Sequence, residues 1–285
     1  MRDSLVAAVI ADAPAETDTR EFVASSAPVG TRGRRVKRAA GMRASKPMLQ
    51  VRHLDLLYGS VQILFDISFD VDAGTTLAVL GTNGAGKSTL LRAISGLSPI
   101  ERGEVRIDGE SLNLRSTEER VECGIVQVRG GEYFSGLSVE DSLRTVLVAR
   151  PELYEQVQIR MERVYDAFPA LTHRRKHDVA LLSGGEQQMV ALGRALMLDP
   201  KVLMIDELSL GLAPVVIEKL LGLVEQLQAA GVTLLIVEQS LNIAAAISEQ
   251  VIFLEKGRVR FSGPTSELAA RDDLARAVFL GGGGG

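Results

Sequence analysis

Nine consecutive residues, Gly81-Thr82-Asn83-Gly84-Ala85-Gly86-Lys87-Ser88-Thr89, carry the spacing G-x-x-x-x-G-K-[ST]. Glycines at these positions let the backbone curl so that successive N–H groups point inward. A helix starting at the lysine turns its positive end toward the same space. Such a cradle suits the phosphates of a nucleoside triphosphate, here ATP: Lys87 reaches the β- and γ-phosphates, and the Ser88 hydroxyl ligates Mg2+. The spacing carries weight only between a strand and a helix, and residues 75–80 and 87–96 read as that strand and that helix. Further along, Lys201-Val202-Leu203-Met204-Ile205-Asp206-Glu207 is an apolar run ending in two carboxylates. Parallel strands present ligand groups at their C-terminal ends. That makes Asp206 the Mg2+ ligand, directly or through water, and Glu207 the general base for the attacking water. In isolation the pair reads equally as a strand ending in surface acids; the phosphate loop upstream decides for the chemical reading.

Between these motifs lies Leu182-Ser183-Gly184-Gly185-Glu186-Gln187-Gln188, followed by Arg194-Ala195-Leu196. Ser-Gly-Gly alone is a helix N-cap and a turn. The three motifs in this order resemble the ATP-binding cassette (ABC) ATPases, over nearly everything outside the two tails. The resemblance implies that Ser183, Gly184 and Gly185 contact the γ-phosphate held by an opposite subunit, again by anion binding at a helix N-terminus. It implies that Tyr58 stacks on the adenine ring, where a tyrosine after a strand would otherwise pack at an edge. It also places Gln239 where many members carry a switch histidine, alongside Lys87 and Glu207 in catalysis. Val237-Glu238-Gln239, Ser209-Leu210-Gly211-Leu212-Ala213-Pro214 and Ala93-Ile94-Ser95-Gly96-Leu97 look like the branched-chain amino acid uptake ATPases.

Three departures from that pattern stand out. Thr82 and Leu208 replace prolines, with small effects expected. Arg129-Gly130-Gly131-Glu132 stands where the subgroup has Pro-Glu-Gly-Arg, so the position expected to sense the γ-phosphate and Mg2+ is Gly130, without a side chain. Glu132 and Gln127 are the nearby substitutes, although strand register points Gln127 elsewhere. Slower hydrolysis or altered coupling is the expected consequence.

These residues need a scaffold. Alternating or apolar runs at 49–56, 63–71, 75–80, 104–107, 202–205, 232–237, 251–254 and 258–261 predict strands. Helical patterns cover 87–96, 139–149, 152–168, 184–198, 214–229 and 243–247. Continuous apolar strands alternating with helices predict an α/β fold with a parallel sheet covered on both faces. Few strand signals fall between Tyr133 and Leu182, which predicts an inserted helical subdomain over about 133–182. The resemblance adds the name P-loop NTPase core, with a mostly parallel sheet and an antiparallel β subdomain. The expected organisation is a disordered basic extension over 1–47, an ABC ATPase domain over 48–280 and a glycine tail over 281–285.

Composition excludes several alternatives. A net charge of −4 argues against binding nucleic acid by bulk electrostatics. The lone Cys123 leaves no internal disulfide and no zinc cluster, which fits a reducing compartment. No apolar run approaches the ~20 residues of a spanning helix, so a membrane role requires a partner. Near the N-terminus, residues 5–11 only faintly resemble a signal peptide, with Asp3 where a positive residue belongs. Arg32, Arg34, Arg35, Lys37, Arg38, Arg43 and Lys46 read as a solvated arm, with contact to anionic lipid or nucleic acid as the minority reading. By resemblance the chain is an ATP-hydrolysing subunit of an importer at the cytoplasmic face of the cell membrane. It would work with a second ABC ATPase subunit, transmembrane permease subunits and, indirectly, an extracytoplasmic substrate-binding protein. A weakly hydrolysing regulatory module and a non-transport ABC ATPase are the alternatives.

Overall fold

Two sheets divide the strands according to their sequence pattern. The computed structural model describes residues 46–129, 136–206 and 214–271. β1 (Pro47–Tyr58) and β2 (Val61–Asp72) bury Leu49, Val51, Leu54 and Leu56, and Leu64, Ile67, Phe69 and Val71, between more exposed neighbours. That alternation suits an antiparallel sheet with one solvated face. With β4 (Arg102–Ile107) and β5 (Glu110–Ser111) they form the order β2-β1-β4-β5, every pair antiparallel.

β3 (Thr76–Gly81), β7 (Val202–Asp206) and β8 (Thr233–Glu238) are buried at every residue. They lie inside a second sheet, where both faces are covered. Together with β6 (Ile125–Arg129), β9 (Gln250–Glu255) and β10 (Arg258–Pro264) they form the order β10-β9-β3-β8-β7-β6. All its neighbours are parallel except β10, which pairs antiparallel to β9 at the edge.

On one face, α1 (Lys87–Ser95) buries Leu90, Leu91 and Ile94 against Val202, Met204, Leu235 and Val237, in a core shared with the antiparallel sheet. On the other face lie α3 (Val139–Thr145), α4 (Val157–Ala167), α5 (Pro169–Thr172) and α6 (Gly184–Met197), after the short α2 (Thr117–Glu122). Leu143, Val164, Leu192 and Phe168 from this layer join Val126, Val128, Leu203 and Ile205 in one core. Gly193 permits the close approach of its helices: a Cβ there would sit 2.8 Å from Val164 Cγ1 and 3.1 Å from Leu143 Cδ2. α7 (Pro214–Ala229), α8 (Leu241–Ile247) and α9 (Thr265–Ala269) complete the fold.

The helical insertion differs from its pattern in detail. The helix expected over 139–149 ends at Thr145 and tightens into a 3-10 turn, Val146–Val148. Three β-branched residues among Thr145, Val146, Leu147 and Val148 favour that exchange over further α-helix. Likewise Pro151–Gln156 is a 3-10 segment opened by its proline, and α-helix begins only at Val157. Between residues 136 and 182 the β contact is a lone bridge, Ser138 to Asp178. Lys46 joins the folded body through its carbonyl, which accepts from Ala73 N–H, and an ion pair to Asp108.

Candidate functional site

Parallel register collects the candidate residues on one edge of the second sheet. Leu80 pairs with Glu238, Val237 with Asp206, and Asp206 with Arg129. The phosphate loop after Leu80, Gln239 after Glu238, and Asp206 therefore emerge side by side at the C-terminal strand ends. Glu207, Gly130, Glu132, Leu208 and 209–213 lie outside the described residues.

The loop's glycines answer distinct constraints. Gly84 and Gly86 have φ of 75° and 100°, where side chains are strained. A Cβ on Gly81 would sit 2.5 Å from the Leu254 carbonyl oxygen. Lys87, only 6% exposed, folds its ammonium back to donate to the carbonyls of Gly81 (2.8 Å) and Thr82 (3.0 Å). The cation thus sits inside the curl that an anion would enter. Asn83, Gly84 and Ser88 are exposed, Thr82 and Thr89 half-buried and Ala85 buried. Asp206 is 8% exposed at the end of β7. A serine hydroxyl and a carboxylate are hard oxygen donors, the chemistry Mg2+ prefers when phosphates complete its shell; Ser88 and Asp206 fit it on that ground.

Tyr58 closes β1 with 44% of its surface exposed, and its hydroxyl lies 3.1 Å from Ser98 Oγ, which also accepts from Arg92 Nε. The ring thus keeps an open surface while its hydroxyl is anchored beside the end of α1.

Ser183 caps α6 in a reciprocal box. Its Oγ accepts from Glu186 N–H, while its N–H and hydroxyl donate to Glu186 Oε2 at 3.0 and 2.8 Å. The bond from Ser183 N–H, helped by Arg174, holds the Glu186 carboxyl below its usual value near 4.5. Gly184 is exposed, and a Cβ there would meet nothing within 4 Å. Ser183, Gly184 and Gly185 thus belong to the helical layer, with Ser183 and Gly184 exposed and Gly185 buried at the start of α6. The loop, Asp206 and Gln239 are brought together; the Ser-Gly-Gly end is not brought to them by hydrogen bonds of its serine.

Gln127 does not reach the strand ends. It is 6% exposed, shares a face with Ile125 and its register partner Met204, and neither amide atom has a hydrogen-bond partner. Glu238, 2% exposed and paired with Leu80 of the loop's strand, is a buried acid at the same strand ends that the spacing arguments do not single out. The signal was an acid closing an unbroken apolar strand. Among the described residues no helix is long and apolar enough to cross a membrane.

The family model described as ABC transporter matches residues 64–209. The chain is 37% identical to the high-affinity branched-chain amino acid transport ATP-binding protein BraG of Pseudomonas aeruginosa, over 82% of this chain and 100% of that one. It is 35% identical to a probable branched-chain amino acid transport ATP-binding protein, LivF, of Archaeoglobus fulgidus, over 80% of this chain and 97% of that one. Among solved structures, the ADP conformation of the ATP-binding cassette MJ1267 superposes with a TM-score of 0.75 at 23% identity, covering 82% of this chain and 99% of that one. CbiO1 of Clostridium perfringens, part of an ABC transporter complex, superposes with a TM-score of 0.72 at 26% identity, covering 83% and 96%.

Proposed function

We propose, from the premise that this chain belongs to the ABC transporter family and is an ATPase of it, that its ATP hydrolysis drives uptake of branched-chain amino acids or related small polar metabolites. The named activity of BraG and LivF supports the substrate class. One observation carries the mechanism: the loop, Asp206 and Gln239 share a strand edge, while the Ser183 end of α6 faces outward on another layer. Each chain then supplies two complementary halves of a site, and two cassettes complete it.

In this mechanism the loop's N–H groups and Lys87 hold the β- and γ-phosphates, and Tyr58 stacks on the base. Ser88 and Asp206 would hold Mg2+, which supplies charge neutralisation on the phosphate oxygens. Glu207 takes the proton of the attacking water, Gln239 takes the part of the switch histidine, and Ser183, Gly184 and Gly185 of the second cassette close over the γ-phosphate. Catalysis of this kind is mostly positioning and electrostatics, so closure of the pair gates turnover. The work is delivered to membrane permease partners at the cytoplasmic face, with a substrate-binding protein upstream. Gly130 favours a second reading, a nucleotide-binding regulatory module with weak hydrolysis.

The decisive experiment replaces Glu207 with Gln. Retained ATP binding, lost turnover and ATP-dependent dimerisation on size exclusion support the assignment. Unchanged turnover would remove Glu207 from the role of base. Reconstitution with the permeases and labelled leucine tests the substrate class, and a complex that takes up another solute but not leucine would replace it.

A further inference from the structure

The turn joining β9 to β10 is built more tightly than a hairpin requires. Lys256 and Gly257 have φ of 47° and 71°, the paired left-handed conformation of a two-residue turn. Gly257 also touches two other parts of the molecule. Its N–H donates to the Ala85 carbonyl of the phosphate loop at 2.9 Å, and its carbonyl accepts from Phe65 N–H of β2 at 2.9 Å. A Cβ on Gly257 would lie 1.8 Å from the Ile63 carbonyl oxygen. From the loop side, a Cβ on Gly86 would lie 2.8 Å from Leu64 Cδ2 and 3.7 Å from Gly257 Cα. The Arg258 guanidinium lies over the Phe65 ring, 4.4 Å from its centroid, and seals the contact.

Peptide planarity turns this contact into an aiming device. In a trans peptide the C=O of Ala85 and the N–H of Gly86 point in opposite directions. Drawing the carbonyl outward onto Gly257 therefore directs the Gly86 N–H toward the cradle. Through Phe65 the same residue suspends β2, which pairs with β1 up to Tyr58 opposite Val61. We propose that Gly257 is a positioning residue of the nucleotide site, aiming the phosphate loop's Gly86 amide and fixing the loop against the sheet that carries Tyr58. This rests on the reading of residues 81–89 as a phosphate cradle.

Titration calorimetry of wild type, Gly257→Ala and Lys256→Gly with MgATP and with inorganic tripolyphosphate tests it, thermal melting without nucleotide confirming the fold. A correctly aimed amide bonded to a charged oxygen is a strong interaction, so Gly257→Ala should weaken both ligands in parallel, by about tenfold or more. Lys256→Gly keeps both hydrogen bonds and should bind both as wild type does. Binding by Gly257→Ala equal to wild type for both ligands overturns the proposal. If Gly257→Ala fails to fold, hydrogen exchange of the wild-type Gly257 amide without nucleotide decides: slow exchange supports the clamp, and exchange at the free-peptide rate overturns it. Wild type binding neither ligand would instead overturn the cradle reading.

Discussion

Lys87 is a buried cation held by two carbonyls of its own loop. Hydrogen bonds to charged groups contribute about 1.5–3 kcal/mol each, so Lys87→Ala should weaken MgATP by at least about tenfold in calorimetry and abolish turnover. Gln127 makes a contrasting case. Its buried amide lacks partners, and a buried unsatisfied polar group costs about 1–3 kcal/mol. Gln127→Met, nearly equal in volume, should raise the urea midpoint and leave ATPase activity intact; lost activity would make Gln127 the stand-in for Gly130. Glu186 carries a pH signature. Its carboxyl is depressed by the Ser183 cap, so its stabilising contribution is complete above the ordinary carboxylate value and fades as pH falls through the lowered one. The melting-temperature gap between wild type and Glu186→Ala should therefore be present at neutral pH and shrink in acid. Residue types at these positions were legible from spacing alone. The burial of Gln127 was legible only in its direction, because it needs the register with β7.

Elements were legible where one period ran unbroken. β3, β7 and β8 matched apolar runs because strands covered on both faces need no polar alternation. β6 and α2 are less legible: Gln127 interrupts the apolar run of the first, and the second is six residues rich in charge. The end of α1 shows what local pattern hides. Arg120, 4% exposed, donates Nη1 to the carbonyls of Ala93 (2.9 Å) and Ile94 (2.8 Å), and Nε to Arg115. A cation from another helix thus caps the helix whose other end follows the proposed phosphate loop, at the pole where positive charge is favourable. Gly96, at φ 83°, leaves room for it: a Cβ would sit 2.9 Å from Arg120 Nε. Burial holds the Arg120 pKa below its usual value. Arg120→Met should cost about 3 kcal/mol in urea unfolding by stranding those carbonyls, with Ser116→Ala on the α2 capping box costing about 1 kcal/mol.

At the scale of the molecule, the proposed mechanism needs two cassettes, because the phosphate loop and the Ser183 end of α6 belong to different layers of one chain. A mixture of two inactive variants tests this. Lys87→Ala destroys the cradle and Ser183→Arg blocks the lid, so each alone should be inactive. In a mixed pair, the intact cradle of one chain meets the intact lid of the other. Random pairing of copies in a symmetric dimer then restores about a quarter of the sites, measured as phosphate release on mixing. No recovery would mean that the second cassette is a different chain.

Read alone, the amino-acid order determined the family: the phosphate loop identifies itself through short-range spacing, and the acid-ended strand and the Ser-Gly-Gly helix start gain meaning from standing in order with it. The tertiary structure decided which of them meet. Register among β3, β8, β7 and β6 is set by hydrogen bonds between segments far apart in the chain, so the shared edge was not visible in local pattern. Nor were the long-range contacts of Gly257 with the loop and of Arg120 with α1. A single hydrogen bond to a backbone carbonyl depends on where that carbonyl is carried, not on which side chain it bears.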